Sequence, residues 1–250
     1  MSGHSKWANI KHKKEAADRQ KGKMFSRVGK EIMVAAKNGG PDPNTNPALR
    51  AALTAAKAVN MPNANIDRAI KKGIGELGDV VFEEIMYEGY GAGGVAVIVD
   101  CLTDNRNRSI SEVRMAFVRN NGNLAASGAV SRMFKRQAHF IITGEWADEE
   151  KLMDIVLDAG ANDLVVEDGE AEIWADPENF EALVKVFEEK GIVPETAEQT
   201  RKPEMTVNIT DAKVASQVIR MIERLEESDD VQNVTANYII DDSIADQIED

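Results

Sequence analysis

The sequence has one cysteine, few aromatic residues and no long hydrophobic run. Because Cys101 is the single cysteine, no disulfide can form within the chain, and this usage is typical of a reducing compartment. The longest apolar run, residues 95–99, is much shorter than the roughly 18 residues that a membrane span requires. No apolar segment of a secretory signal follows the charged N-terminus. We therefore expect a cytoplasmic protein that has no membrane partner.

Composition indicates a globular protein with several domains. The chain has 250 residues, of which 43% are hydrophobic, 29% charged and 5% aromatic. A chain of this length usually forms two or three domains, and these proportions are typical of globular rather than disordered proteins. With so few aromatic residues, the hydrophobic cores must be mostly aliphatic.

Charge is distributed unevenly along the chain. The formal net charge is −13, yet residues 1–75 contain 15 Lys and Arg against 5 Asp and Glu. Residues 137–200 have the opposite bias, with 3 basic and 18 acidic side chains. The first segment attracts the phosphates of a nucleic acid, whereas the second is repelled by them. The acidic segment confers solubility, orients the protein on a polyanion or contacts a basic protein.

The basic N-terminal segment is the main candidate binding site. We expect seven lysines to neutralise phosphate, namely Lys6, Lys11, Lys13, Lys14, Lys21, Lys23 and Lys30. Trp7 lies inside this cluster, where an indole either stacks on a base or anchors a helix. The alternative is a solvated, charged terminus that binds nothing.

Hydrophobic spacing predicts helices in the N-terminal third. Apolar residues recur at helical spacing between Met24 and Ala35, and Gly39 ends the stripe. The Asn-Pro pair at residues 46–47 is typical of a helix start, with Asn as the N-cap and Pro at the first helical position. We predict a small basic helical domain over residues 1–78.

The rest of the chain alternates strands and helices. Residues 137–200 have the order strand, helix, strand, strand, helix, strand, which is the ferredoxin-like pattern. The flanking segments contain ββα and βαβ elements that would complete a second such domain. We therefore predict an α+β protein with a small N-terminal helical domain followed by two ferredoxin-like α+β domains, one inserted in the other. The predicted boundaries are 79–134 with 203–240 for the outer domain, 135–202 for the inserted acidic domain and 241–250 for an acidic tail.

A glycine-rich stretch matches a cofactor motif only superficially. Gly89, Gly91 and Gly94 satisfy the G-x-G-x-x-G fingerprint of dinucleotide-binding proteins. That fingerprint requires a helix directly after the glycines, and here a strand is predicted instead. The stretch therefore predicts the loop of a β-hairpin, and no cofactor is expected.

Two arginines form a second candidate contact. Ser109 and Glu112 fit a capping box, which predicts that a helix begins at Ser109. Arg106 and Arg108 then precede a helix N-terminus, where the helix dipole disfavours cations. Either a bound anion or a salt bridge within this acidic chain would explain them.

Catalysis is the rival hypothesis, and it has little support. Cys101 and His139 would act as nucleophile and base only if the fold brought them together. The histidines and the cysteine have no metal-ligand spacing. Asp229 and Asp230 are interpreted as solvated. We therefore expect no catalytic residue, no metal and no small-molecule substrate.

Short motifs spread over the whole chain resemble those of the YebC/PmpR family, which includes the mitochondrial translational activator of cytochrome c oxidase. These motifs are Gly3-His4-Ser5-Lys6-Trp7, Lys11-His12-Lys13-Lys14, Asn60-Met61-Pro62, Tyr87-Glu88-Gly89-Tyr90-Gly91, Asp104-Asn105-Arg106-Asn107-Arg108, Asn123-Leu124 and Asp229-Asp230-Val231. The resemblance implies a helical N-terminal domain followed by two α+β domains. The family has no agreed catalytic residues or cofactor.

The resemblance also implies a function in gene expression. Family members are usually described as probable transcriptional regulators that bind DNA. Other members look like translation factors that act at the ribosome on proline-rich stretches. We therefore expect a nucleic-acid-binding regulator of transcription. The alternative is a ribosome-associated translation factor that binds ribosomal RNA and relieves stalling, because segment charge does not separate DNA from RNA.

We predict that replacing Lys11, Lys13 and Lys14 together by Gln weakens nucleic-acid binding equally across sequences. The variant makes fewer phosphate contacts, so its binding releases fewer counterions from the nucleic acid. The slope of log K against log[salt] should therefore flatten by about 2–3. Fluorescence titrations at several salt concentrations measure this slope. A slope equal to that of the unchanged protein would place these lysines away from the interface.

Overall fold

The structure, a computed structural model, describes residues 17–78 and 81–248. The chain divides into two compact units. We call residues 132–205 the insert unit, and we call the preceding residues 3–131 together with residues 206–250 the main unit. Each unit is described separately. The fold class agrees with the α+β prediction, with a helical region first and two sheet-containing regions after it.

The helical region of the main unit contains three described helices. These are α1 (Ala17–Gly39), α2 (Pro47–Ala58) and α3 (Asn63–Gly73). Their apolar stripes meet in one core, in which Ile32, Leu49 and Ala56 are fully buried. As predicted, Asn46 caps α2, because its side chain accepts a hydrogen bond from the backbone N–H of Leu49. None of the helices in the described residues is both long and apolar enough to span a membrane.

The sheet of the main unit has four described strands, β1 (Glu83–Tyr90), β2 (Ala96–Thr103), β3 (Asn123–Leu124) and β9 (Val231–Ala236). Their order in the sheet is β3-β1-β2-β9. Two helices, α4 (Arg106–Arg119) and α7 (Ala212–Glu226), bury Phe117 and Met221 against the sheet. A separate parallel pair joins β8 (Val207–Ile209) to β10 (Tyr238–Ile240).

The glycine-rich stretch lies at the hairpin between β1 and β2, as predicted, although Gly89 belongs to β1 itself and only Gly91 and Gly94 lie in the loop. A Cβ atom on Gly89 would lie 2.6 Å from the ring of Phe117, and one on Gly91 would lie 2.7 Å from Cε of Met221. These glycines therefore allow α4 and α7 to pack closely on the hairpin. Packing explains them without a phosphate ligand.

A buried carboxylate holds the loop at residues 128–131, which precedes the insert unit. Glu88 is only 2% exposed, and its carboxylate accepts hydrogen bonds from the backbone N–H groups of Gly128, Val130 and Ser131 at 2.7–2.9 Å. Burial alone would raise the pKa of Glu88, but these hydrogen bonds outweigh it and lower that pKa.

The insert unit has the ferredoxin-like topology. Its elements are β4 (Phe134–Thr143), α5 (Glu149–Asp158), β5 (Ala161–Glu167), β6 (Glu170–Ala175), α6 (Phe180–Lys190) and β7 (Thr196–Pro203). The four strands are antiparallel in the order β5-β6-β4-β7. Phe140, Leu152 and Phe187 pack between the sheet and the two helices.

Candidate nucleic-acid interface

One buried carboxylate connects three parts of the main unit. The side chain of Asp230 is 2% exposed. Its Oδ1 accepts hydrogen bonds from Lys30 Nζ and Arg108 Nη2, both at 2.8 Å. Its Oδ2 accepts from Thr103 Oγ1 at 2.9 Å, Ser109 Oγ at 2.9 Å and Arg108 Nε at 3.0 Å. We call Asp230 and these four partners the Asp230 hub.

The Asp230 hub keeps its carboxylate ionised. Burial alone would raise the pKa of Asp230, because a charge is poorly solvated away from water. The hydrogen bonds from Arg108, Lys30, Ser109 and Thr103 outweigh burial and hold that pKa well below its usual range. A fully satisfied buried charge of this kind selects one arrangement of the elements that supply its partners.

Helix α1 reaches the hub from the helical region. In addition to its ion pair with Asp230, Lys30 Nζ donates to the backbone oxygens of Asp229 at 2.8 Å and Leu102 at 3.2 Å. One turn earlier, Arg27 Nη2 donates to the backbone oxygen of Glu226 at 2.7 Å. The basic face of α1 therefore contacts the C-terminal end of α7 and the turn that follows it.

The start of α4 differs from the sequence-based prediction. The helix begins at Arg106, because the Asn105 side chain accepts a hydrogen bond from the backbone N–H of Arg108 at 3.1 Å and caps it. Ser109 is not the N-cap, since it lies within the helix and its hydroxyl donates to Asp230. The interpretation of Asp230 as solvated is also wrong, because its side chain is only 2% exposed and accepts hydrogen bonds from four residues.

The predicted contact residues have different environments. Arg108 is tied to Asp230, which is the salt-bridge alternative considered from the sequence. Lys30 is likewise committed to the hub, with only 12% of its side chain exposed. The Arg106 side chain is exposed and forms no hydrogen bond or ion pair with described residues, and Lys23 is partly exposed on α1. Outside the described residues lie Lys6, Trp7, Lys11, Lys13, Lys14 and the side chain of Lys21.

A cleft of about 1230 Å³ opens beside the hub. The helices α1 and α3 form one wall, and α4 with the turn after α7 forms the other. Lys30, Arg68 and Lys72 are the charged side chains on the helical wall. The opposite wall carries Arg108, Arg224, Asp104, Glu112, Glu227, Asp229 and Asp230. The two walls therefore have opposite charge, and composition alone gave no signal of this cleft.

The residues considered for catalysis lie in different units and have structural environments. Cys101 is buried in the core of the main unit, where burial, followed by the nearby Asp230 charge, raises the pKa of its thiol to about 12. A thiol with this pKa is a poor nucleophile near neutral pH. His139 belongs to the insert unit, where it stacks on Trp174 with 4.0 Å between ring centroids and contacts Glu172 at 3.1 Å.

Comparison with known proteins gives matches over most of the chain. The family model described as the TACO1/YebC protein N-terminal domain matches residues 5–76, and the model described as the TACO1/YebC second and third domain matches residues 82–238. A relative from Syntrophobacter fumaroxidans, called a probable transcriptional regulatory protein, is 51% identical over 99% of this chain and 100% of its own length.

Two further similar proteins support these matches. A relative from Geobacter sulfurreducens with the same description is 51% identical over 96% of both chains. The crystal structure of a conserved hypothetical protein from Aquifex aeolicus has a TM-score of 0.85 and 46% sequence identity. The similarity covers 96% of this chain and 99% of that one.

We predict that Asp230→Asn lowers the free energy of unfolding by about 3–5 kcal/mol at pH 7, because it leaves two cations without their buried partner. The pKa of Asp230 is lowered in the folded state, so its stabilisation is present above the unfolded pKa of about 3.9 and is lost as pH falls below it. The difference between the two proteins should therefore shrink in acid. Urea denaturation at several pH values measures it.

The neighbouring Asp229→Asn is the matched control. Asp229 is exposed and contributes only its backbone oxygen to Lys30, which the substitution keeps. We expect this variant to change the free energy of unfolding by less than about 0.5 kcal/mol. Equal effects of the two substitutions would contradict the role given to Asp230.

Proposed function

Because this chain belongs to the TACO1/YebC family, we propose that it is a regulator of gene expression that binds nucleic acid through its helical region. The observation that carries the proposal is the concentration of positive charge there. Residues 1–75 have an excess of ten basic side chains in a chain whose net charge is −13. A polyanion therefore meets the helical region first, while the acidic residues 137–200 are repelled.

The described helices support a binding role for this region. Beyond the basic N-terminal cluster, α2 and α3 carry the exposed cations Arg50, Lys57, Arg68 and Lys71. The side chains of Arg68 and Lys71 form no ion pair with described residues, although carboxylates are abundant in this protein. Uncompensated cations on the surface of α3 are suited to contacting a phosphate backbone.

The proposal extends to transcription and to the absence of catalysis. The relatives are called probable transcriptional regulatory proteins, and we propose DNA as the target and the cytoplasm as the location. The buried Cys101, with its raised pKa, supports a protein that acts by binding. Phosphate contacts of this kind supply affinity, whereas base-edge contacts would supply sequence selectivity.

In-cell crosslinking of the tagged protein, with sequencing of the attached nucleic acid, tests this proposal. We expect reads concentrated at promoter DNA, and we expect the variant with Gln at Lys11, Lys13 and Lys14 to lose most of them. The control is a variant with one reversed charge on the surface of the insert unit, Glu181→Lys, which should keep the promoter reads. Reads concentrated in ribosomal RNA would show that the protein acts on translation rather than on transcription. Few reads of either kind would contradict nucleic-acid binding.

A further inference from the structure

A glycine in the middle of α1 lacks a structural explanation within the described residues. Gly29 lies well inside the helix, where glycine is destabilising relative to alanine. A Cβ atom added at Gly29 would meet nothing within 4 Å, so packing does not explain why this position has no side chain. The residue nevertheless lines the cleft beside the Asp230 hub. Gly29 itself is buried, but the space that a Cβ atom would occupy is open. Open space of this kind beside a helix is suited to a ligand group that approaches the helix closely.

The surroundings of Gly29 indicate the chemistry of that ligand. Phe25 and Phe82 line the same cleft, and both rings are partly exposed. On the helical wall, Arg68 and Lys72 are one turn apart on α3 and form no ion pair with described residues. The cleft therefore offers cations and aromatic surface together, which is the combination that binds single-stranded nucleic acid.

The opposite wall carries more carboxylates than cations, with five acidic side chains against Arg108 and Arg224. The Asp229 side chain is exposed there, and Glu112 accepts a hydrogen bond from Ser228 at 2.6 Å with one carboxylate oxygen. Carboxylates accept hydrogen bonds from the exocyclic amines of bases but repel phosphate. The opposite charge of the two walls thus matches a nucleotide, which is anionic at its phosphate and carries amine donors on its base.

We propose that the cleft holds a nucleotide of a single-stranded nucleic acid, with its phosphate at Arg68 and Lys72 and its base in the open space beside Gly29. The volume of about 1230 Å³ exceeds the roughly 300–1,000 Å³ of typical small-molecule sites, so one or two nucleotides fit. This inference rests on the proposed function, which it deepens by assigning a pocket to an unpaired strand. The base stacks beside Phe25 and Phe82.

The first test uses a substitution that separates binding from folding. Gly29→Ala should raise the melting temperature, because alanine favours the helix, and should weaken binding of a short labelled single strand roughly tenfold, because the methyl group occupies the position of the base. Fluorescence anisotropy with the full chain measures the affinity for RNA and DNA single strands and for a duplex. Only the single strands should lose affinity.

Gly22→Ala is the matched control. Gly22 lies on the same helix, is exposed and also has nothing within 4 Å of an added Cβ atom, but it is not part of the cleft. This variant should gain melting temperature and bind single strands like the unchanged protein. If Gly29→Ala also binds like the unchanged protein, the inference is wrong.

The cations of the helical wall give an independent test. The double variant with Arg68→Gln and Lys72→Gln should flatten the salt dependence of single-strand binding by about 1.4 in slope, since two phosphate contacts are lost. An unchanged slope would overturn the inference. Cellular loss of function in Gly29→Ala without any change in oligonucleotide binding would also overturn it, because the occupant would then be something else, such as a peptide.

Failure of the inference is distinguishable from failure of the proposed function. If the unchanged protein binds neither single strands nor duplex at low salt, both are wrong. If it binds, and the variant at Lys11, Lys13 and Lys14 weakens binding while the cleft variants do not, the proposed function stands and the inference alone is wrong.

Discussion

The ionised carboxylate of Asp230 is the constraint on which the main unit depends. Taking this charge out of water is costly, and the cost is offset only because Lys30, Arg108, Ser109 and Thr103 all donate to it. These donors come from α1, from the end of β2 and from the first turns of α4. One side chain therefore fixes the helical region on the sheet. The cleft follows from this arrangement, because its two walls are the elements that the hub connects.

Local sequence patterns were sufficient to predict several elements of the fold. The helical stripe of α1 and the Asn-Pro start of α2 depend on residues close in sequence, and the structure contains both. The ferredoxin-like insert was predictable because its strands and helices alternate at ordinary lengths. The start of α4 was not predictable, because Asn105 and Ser109 are both residue types that serve well as N-caps. Only the position of Asp230 determines that the Ser109 hydroxyl is used elsewhere.

The candidate site was less predictable than the fold. Charge counting identified the helical region, yet it could not separate cations that hold the structure together from those free to bind a ligand. Lys30 and Asp230 are 200 residues apart in sequence, so no local pattern relates them. Arg106 and Arg108 are two residues apart, and the structure gives them different environments. The open space at Gly29 depends entirely on the packing of α1, α3 and α4.

The most direct test of this account is a double-mutant cycle between Lys30→Met and Asp230→Asn, measured by chemical denaturation. If the ion pair joins the helical region to the sheet, the two substitutions should be strongly non-additive, with a coupling free energy of about 1.5–3 kcal/mol. Additivity to within about 0.5 kcal/mol would contradict the account. In that case the position of the helical region would not depend on Asp230.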